Sequence, residues 1–441
     1  MTNPSAPVPA SSRRQFLKTS SAAAAGIIAG PAILGTKSSA ASPGDTIKVG
    51  LIGAGGRGTG AAGNALTADG NAILTAVGDI YSEQAERSIS NLKASKTFGD
   101  RTRVEAKNVF AGFDAYKGVL ESGVDVVILA TPPGFRPQHM KAAVEAGKHM
   151  FVEKPMATDA PGLRSIMESV AQAKTRQLGV CAGFCWRYNL SERALYEHIH
   201  AGDIGDIRTA YCTYNTGLLW DRTNPNDTTD LQKQLRNWYY YTWLSGDHYL
   251  EQAVHAVDWL CWAMKDVVPI KAMAHGGRQV RTAEKYGNIF DHFEVVYEYA
   301  TGARGFLFAR QQAGCANDNS ATFYGTKGTA YELGFGPAPN HVKNLDGAIA
   351  WRFRGDRPDM YVQEHKEFFA SLRAGHPIND GDRMCTSTMV GIMGRMAAYT
   401  GQSISYEEAL NSQEKLVPDQ LTWDSPAPEV KVAMPGRTKF V

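Results

Sequence analysis

The stretch from Lys48 to Gly58 constrains this chain more than any other. An apolar run, Val49 to Ile52, ends abruptly in glycines spaced G-x-G-x-x-G at Gly53, Gly55 and Gly58. An Ala-rich segment through Leu66 then reads as a helix. Strand, glycine turn and helix in that order are the context in which this motif holds a dinucleotide. The first glycine makes the tight turn, the second lets backbone approach a pyrophosphate, and the third lets helix pack on strand. The helix N-terminus offers free N–H groups and a positive dipole end to the phosphates.

A second strand, Ile73 to Val77, ends at Gly78-Asp79, 21 residues after Gly58. That spacing suits an acidic residue on the adenosine ribose. A carboxylate there accepts hydrogen bonds from the 2′-hydroxyl and repels a 2′-phosphate, so the expected cofactor is NAD rather than NADP.

The pattern then alternates. Val124 to Ala130 is a near-continuous apolar strand, as expected where both faces are covered. It ends in Thr131-Pro132-Pro133, a loop at the carboxyl edge where open α/β sheets bind ligands. His139 to Ala146 reads as a helix, and His149 to Val152 is a strand ending in Glu153-Lys154-Pro155. The first fold unit is therefore α/β, a doubly wound parallel sheet over residues 47–160. Arg57, Thr131, Pro132, His139, Glu153 and Lys154 join Gly53, Gly55, Gly58 and Asp79 as expected cofactor contacts.

Beyond residue 160 longer strands follow one another: Ile207 to Thr216, Ile270 to Arg281, His292 to Tyr299 and Gly305 to Gln311. They predict a second α/β unit, residues 161–441, with a large open, mostly antiparallel sheet.

The first 41 residues are an address rather than a domain. Ser12-Arg13-Arg14-Gln15-Phe16-Leu17-Lys18 precedes a mildly apolar stretch, Ala22 to Leu34, and then Ser39-Ala40-Ala41. This resembles a twin-arginine signal, which implies the twin-arginine export machinery as a partner and a periplasmic or secreted location. The apolar stretch is too short and too rich in Ala and Gly to span a bilayer stably. No other segment reads as transmembrane, so no stable membrane span is expected in the mature form. The segment holds four of the 46 basic groups and none of the 44 acidic ones. With no basic block anywhere, nucleic acid is not an expected partner.

Two places carry candidate chemistry. Lys154 sits at the end of a core strand, where a lysine can bind a substrate hydroxyl or exchange its proton. Glu251, His255 and Asp258 fall at spacings that share one face of a helix expected over 250–264. A histidine beside carboxylates suits general acid–base work near neutral pH. His248, Glu251 and His255 fit neither H-E-x-x-H nor H-x-x-E-H, so no metal site is expected. The aromatic run Trp238 to Trp243, with Arg236 and Asn237 just before it, offers flat rings and donors to a sugar. Trp238, Asn237, Glu251 and Arg187, the last in Trp186-Arg187-Tyr188-Asn189, are the expected substrate contacts.

Taken together, G-A-G-G-R-G, T-P-P, E-K-P at 153–155, an acid four residues before His255 and Gly325-Thr326-Lys327-Gly328-Thr329 resemble the glucose–fructose oxidoreductase / inositol dehydrogenase family, Gfo/Idh/MocA. The resemblance covers essentially the whole mature chain. It implies a Rossmann domain, then an α/β domain whose open sheet is often an oligomer interface, so a homo-oligomer is expected. It implies that His255 takes the proton of a sugar or polyol hydroxyl while Lys154 orients and shares it, and that hydride passes to NAD. One departure stands out: Glu251 occupies a position where the family commonly has Asp, which bears on substrate choice. Trp243-Leu244-Ser245-Gly246-Asp247-His248 resembles a secreted bacterial branch.

The reading that follows is an oxidoreductase of sugars or polyols with a tightly held cofactor. The second is an NAD-dependent glycosidase that oxidises a sugar hydroxyl, eliminates the aglycone, adds water and reduces again. Lys154 argues for the first, because the glycosidase branch usually lacks that lysine.

Overall fold

The computed structural model describes residues 44–441. The expected export segment, 1–41, lies outside them.

Six strands form the first sheet: β1 (Ile47–Ile52), β2 (Ala72–Asp79), β3 (Val109–Ala111), β4 (Val126–Leu129), β5 (His149–Val152) and β6 (Val180–Ala182). Their order is β3-β2-β1-β4-β5-β6, with every pair parallel. Strand order reverses between β1 and β4, and the crevice beyond that point is where such sheets hold ligands. Helices Gly56–Ala68, Ser82–Lys93, Ala115–Glu121, Arg136–Glu145 and Ala160–Thr175 make the crossovers. The expected boundary at 160 falls too early. Helix Ala160–Thr175 is itself the crossover into β6, because a parallel neighbour can be reached only through such a connection. The three-residue β3 was not foreseen; it is too short to show a pattern.

The second sheet has nine strands: β7 (Ile207–Thr216), β8 (Lys271–Gly277), β9 (His292–Glu298), β10 (Arg304–Gln311), β11 (Ala321–Gly325), β12 (Gly328–Glu332), β13 (His341–Asn344), β14 (Ile349–Arg352) and β15 (Ile404–Ser405). The order is β14-β13-β12-β11-β7-β10-β9-β8-β15. The β7–β10 pair is parallel and the remaining pairs are antiparallel, as expected for a mostly antiparallel sheet. The strand expected over 270–281 ends at Gly277.

Burial alternates along these strands. In β10, Gly305, Leu307, Ala309 and Gln311 point inward while their neighbours do not. The inner face is covered by helices Val254–Ala263 and Gly381–Thr400, the latter packed on β8 and β9. The outer face carries Tyr211, Met273 and Tyr324, all exposed. One apolar cluster runs from Val152 of the first sheet through Trp186 and Leu250 to Leu307 of the second. That shared core fixes the carboxyl edge of β5 against the helices of the second unit.

Candidate active site

The glycine turn is built for a ligand that comes close to backbone. Gly53 has φ +94°, and a Cβ there would lie 2.6 Å from the Thr131 nitrogen. At Gly58 a Cβ would lie 1.8 Å from the Gly53 carbonyl oxygen, so only glycine lets helix approach strand. A Cβ on Gly55 meets nothing within 4 Å, because that side opens into the cleft. Helix Gly56–Ala68 starts there with no side-chain cap and no acid in its first turn. Its first N–H groups are left for an anion. The turn thus fits a pyrophosphate, at one side of a cleft of about 920 Å³.

Asp79 stands at the end of β2 and lines the same cleft. Its carboxylate accepts N–H bonds from Ala54 (2.7 Å) and Tyr81 (3.0 Å), which ties it to the glycine turn. Burial pushes this carboxyl above its ordinary value, against the pull of those N–H groups. Each oxygen keeps a lone pair for a ribose hydroxyl.

Lys154 and His255, from different units, line the same cleft. Lys154 Nζ donates to Glu251 Oε1 at 3.0 Å and to the Glu251 carbonyl. His255 lies against Phe184 and Tyr214, with ring centroids 6.3 and 6.2 Å away. Its Nδ1 is buried and has no hydrogen-bond partner among the described residues. Burial, then the Lys154 and Arg57 charges, hold this imidazole well below its usual pKa. It is therefore neutral near pH 7 and able to accept a proton. The Tyr214 hydroxyl donates to Gln252 Oε1 at 3.2 Å, leaving the Gln252 amide nitrogen for a ligand.

Two arginines, Arg57 partly exposed and Arg136 buried, brace the loops of the cleft. Arg57 pairs with Glu153 through Nε, lies 3.6 Å from Glu364 Oε1, and covers the Tyr361 ring at 4.6 Å. Burial lowers the Arg57 pKa, but the two carboxylates outweigh it and hold the guanidinium charged. Arg136 is fully buried and donates to the Thr131 and Pro155 carbonyls, clamping the T-P-P loop to the E-K-P loop. Burial brings its pKa down to about 10, against the Glu153 and Glu251 carboxylates. His139 Nδ1 sits 3.2 Å from Thr131 Oγ1, with burial and then Arg136 pushing the ring down to about 3.

Residues 47–182 match the model described as "Oxidoreductase family, NAD-binding Rossmann fold", and residues 193–331 match the GFO/IDH/MocA C-terminal domain. This chain belongs to the Gfo/Idh/MocA family. An inositol 2-dehydrogenase of Saccharopolyspora erythraea is 27% identical over 259 residues, 59% of this chain and 65% of that relative. A glycosyl hydrolase family 109 protein of Streptomyces coelicolor is 30% identical over 171 residues, 38% of this chain and 34% of that relative. Levoglucosan dehydrogenase, solved with NADH and levoglucosan, superposes with a TM-score of 0.64 at 17% identity, covering 82% of this chain and 100% of that one.

All ten cofactor contacts expected of a Gfo/Idh/MocA chain line the cleft, and so do Glu251, His255 and Trp238. Two expected substrate contacts do not. Arg187 is buried in ion pairs with Asp258 (2.8 Å) and Asp266 (2.6 Å), so its charge is already satisfied away from the cleft. Asn237 accepts the Arg222 N–H at 2.7 Å and donates to Thr223 Oγ1 at 3.1 Å, so it shapes a loop instead of meeting a ligand. The helix expected over 250–264 is broken into His248–Glu251 and Val254–Ala263, so Glu251 and His255 do not share one helical face. Asp258 serves Arg187 and Ser387 rather than His255.

Several members of the site were not foreseen in this family member. Arg136 left one trace: a cation in the first turn of a helix, where the dipole disfavours it unless its charge is used elsewhere. Tyr81, Trp220, Arg222 and Gln252 line the cleft without any spacing that marks them.

Proposed function

We propose that this protein is an NAD-dependent oxidoreductase that oxidises a hydroxyl of a sugar or polyol, with His255 as the base and Lys154 assisting. The observation that carries this reading is that Lys154 and a buried, neutral His255 line the same cleft as the glycine turn. Bound NAD supplies the hydride acceptor. The chain supplies the rest. Lys154, oriented by Glu251, donates a hydrogen bond to the substrate oxygen. His255 receives the hydroxyl proton as that oxygen becomes a carbonyl. Trp238, Tyr239 and Gln252 line the space beside them and offer rings and an amide to a polyhydroxylated ring.

We further propose that the chain is exported by its twin-arginine segment to the periplasm or beyond. No free NAD pool is expected there, so the cofactor would be loaded before export and kept through turnover. The exposed Tyr211, Met273 and Tyr324 on the outer sheet face support a homo-oligomer through that face. Sedimentation of the wild type against Tyr324→Glu tests it.

The local likeness to a glycosyl hydrolase family 109 protein supports a second reading, a redox-neutral glycosidase. Three measurements test these readings. Acid release of bound nucleotide from protein purified without added NAD should yield NAD or NADH. Sugars and polyols should then be oxidised with the bound nucleotide reduced. Release of aglycone from an aryl glycoside with no net redox change would favour the glycosidase instead.

A further inference from the structure

After helix Tyr406–Asn411 the chain has no further helix or strand, yet it is tied down along its length. The Ser412 hydroxyl donates to the Val441 carbonyl at 2.5 Å and the Gln413 N–H to the same oxygen at 3.1 Å, so the segment closes on its own start. In between, the Leu416 N–H donates to Asp159 (2.7 Å), Gln234 Nε2 to the Pro428 carbonyl (3.0 Å) and the Gly436 N–H to the Thr400 carbonyl (2.8 Å). A long connection without regular structure, held this firmly in a compact protein, is uncommon and usually functional.

Its most telling contact is Trp423. The indole stacks at a tilt on Phe113 (centroids 5.1 Å) and on Tyr81 (5.9 Å), and remains 39% exposed. Both partners line the cleft, and the Tyr81 N–H is one of the donors that hold Asp79. Tyr81 is also gripped from the second unit. The Arg236 guanidinium covers its ring at 4.2 Å, and its hydroxyl donates to the Gln232 carbonyl at 3.3 Å. Arg236 is itself held by Asp227 at 2.8 Å. The wall beside the ribose-binding carboxylate is thus fastened by a helix of one unit and by the C-terminal segment.

We propose that residues 412–441 are a retaining strap for the bound dinucleotide, with Trp423 as its latch on Tyr81 and Phe113. This rests on the reading of the cleft as the NAD site. Tyr81 and Phe113 wall the cleft beside Asp79, and the strap packs Trp423 on both. Its role is to slow dissociation, and it touches no reacting atom.

The test measures the rate at which bound NADH leaves the purified full chain, followed by loss of its fluorescence on dilution into excess unlabelled NAD. Trp423→Ala is expected to raise that rate roughly tenfold, the scale that two aromatic pairs can supply. Trp423→Phe should restore slow release, and the melting temperature of the nucleotide-free protein should not change between the three. An off-rate within about twofold of the unsubstituted protein overturns the strap. A melting temperature that falls in step with faster release also overturns it, because Trp423 would then be general scaffold. If the unsubstituted protein itself binds no NADH, the cofactor reading fails, and that outcome is distinct from both.

Discussion

Lys154 Nζ lies 3.0 Å from Glu251 Oε1, joining the end of β5 to the end of helix His248–Glu251. The two side chains are only 11% and 12% exposed, so the pair is largely shielded from water. The lysine's position is therefore set by a residue of the other unit, 97 positions further along the chain.

Glu251→Gln keeps the side chain's size but removes its charge, leaving the lysine only neutral acceptors, the amide oxygen and the backbone carbonyl. We expect kcat to fall about 10- to 100-fold with KM changed less, since orientation matters most in the transition state. Glu251→Asp should retain more activity than Glu251→Gln. Equal kcat for Glu251→Gln and wild type in steady-state kinetics would show that the carboxylate does not orient the lysine.

His255 is held below its ordinary pKa, chiefly by burial. A base works in its neutral form, so a lowered pKa keeps it competent further into acid. The acid limb of the kcat/KM profile should therefore lie below about pH 6.5, the value for a free imidazole. His255→Ala should cost about 100- to 10,000-fold in kcat. An acid limb at or above the free value would remove His255 from the role of base.

Two glycines of one motif should fail differently. Gly58→Ala puts a methyl against the Gly53 carbonyl oxygen, where backbone must shift, so the melting temperature should drop. Gly55→Ala meets no protein atom and sits at φ −66°, which alanine accepts. It should leave melting unchanged and weaken NAD binding by about tenfold or more, by filling space the phosphates need. Differential scanning fluorimetry with and without NAD separates the two.

Asp79→Asn keeps the shape of the side chain and removes its charge. NAD affinity should fall about tenfold while NADP affinity rises, because the repulsion of the 2′-phosphate is lost. The ratio of the two dissociation constants, by fluorescence titration, is the readout. An unchanged ratio would show that Asp79 does not choose the nucleotide.

Arg136→Met removes the donors that tie the Thr131 carbonyl to the Pro155 carbonyl. Leaving buried carbonyls without their donors costs about 1–3 kcal/mol each, so unfolding in urea should shift to lower concentration. Activity should drop as well, since the E-K-P loop carries Lys154. Arg136→Lys cannot span both carbonyls and should recover only part of either loss.

Much of this site was legible because its demands are local. Gly53, Gly55 and Gly58 are dictated by backbone approach within a single turn, and Asp79 and Thr131 by the carboxyl ends of two parallel strands. Period and spacing record such constraints directly. Arg187 and Asn237 were misplaced for the opposite reason. A buried arginine and a buried asparagine take whichever partners the packing brings, and Asp258, Asp266 and Thr223 claimed them. The break at Gln252-Ala253 was likewise hidden, since residues 248–263 carry a continuous helical pattern while the chain turns between two short helices.

By itself, then, the sequence determined the doubly wound sheet, the place of the dinucleotide turn, the second mostly antiparallel sheet, and the identity of Lys154 and His255 as candidates. Only the tertiary structure decided that Glu251 anchors Lys154, that Arg136 joins two loops, and that Trp423 closes on Tyr81. The physical reason is range. Hydrogen-bonded turns and strand alternation are fixed by residues a few positions apart, whereas a buried charge or a ring at a cleft wall is satisfied by whatever distant residue the folded core places beside it.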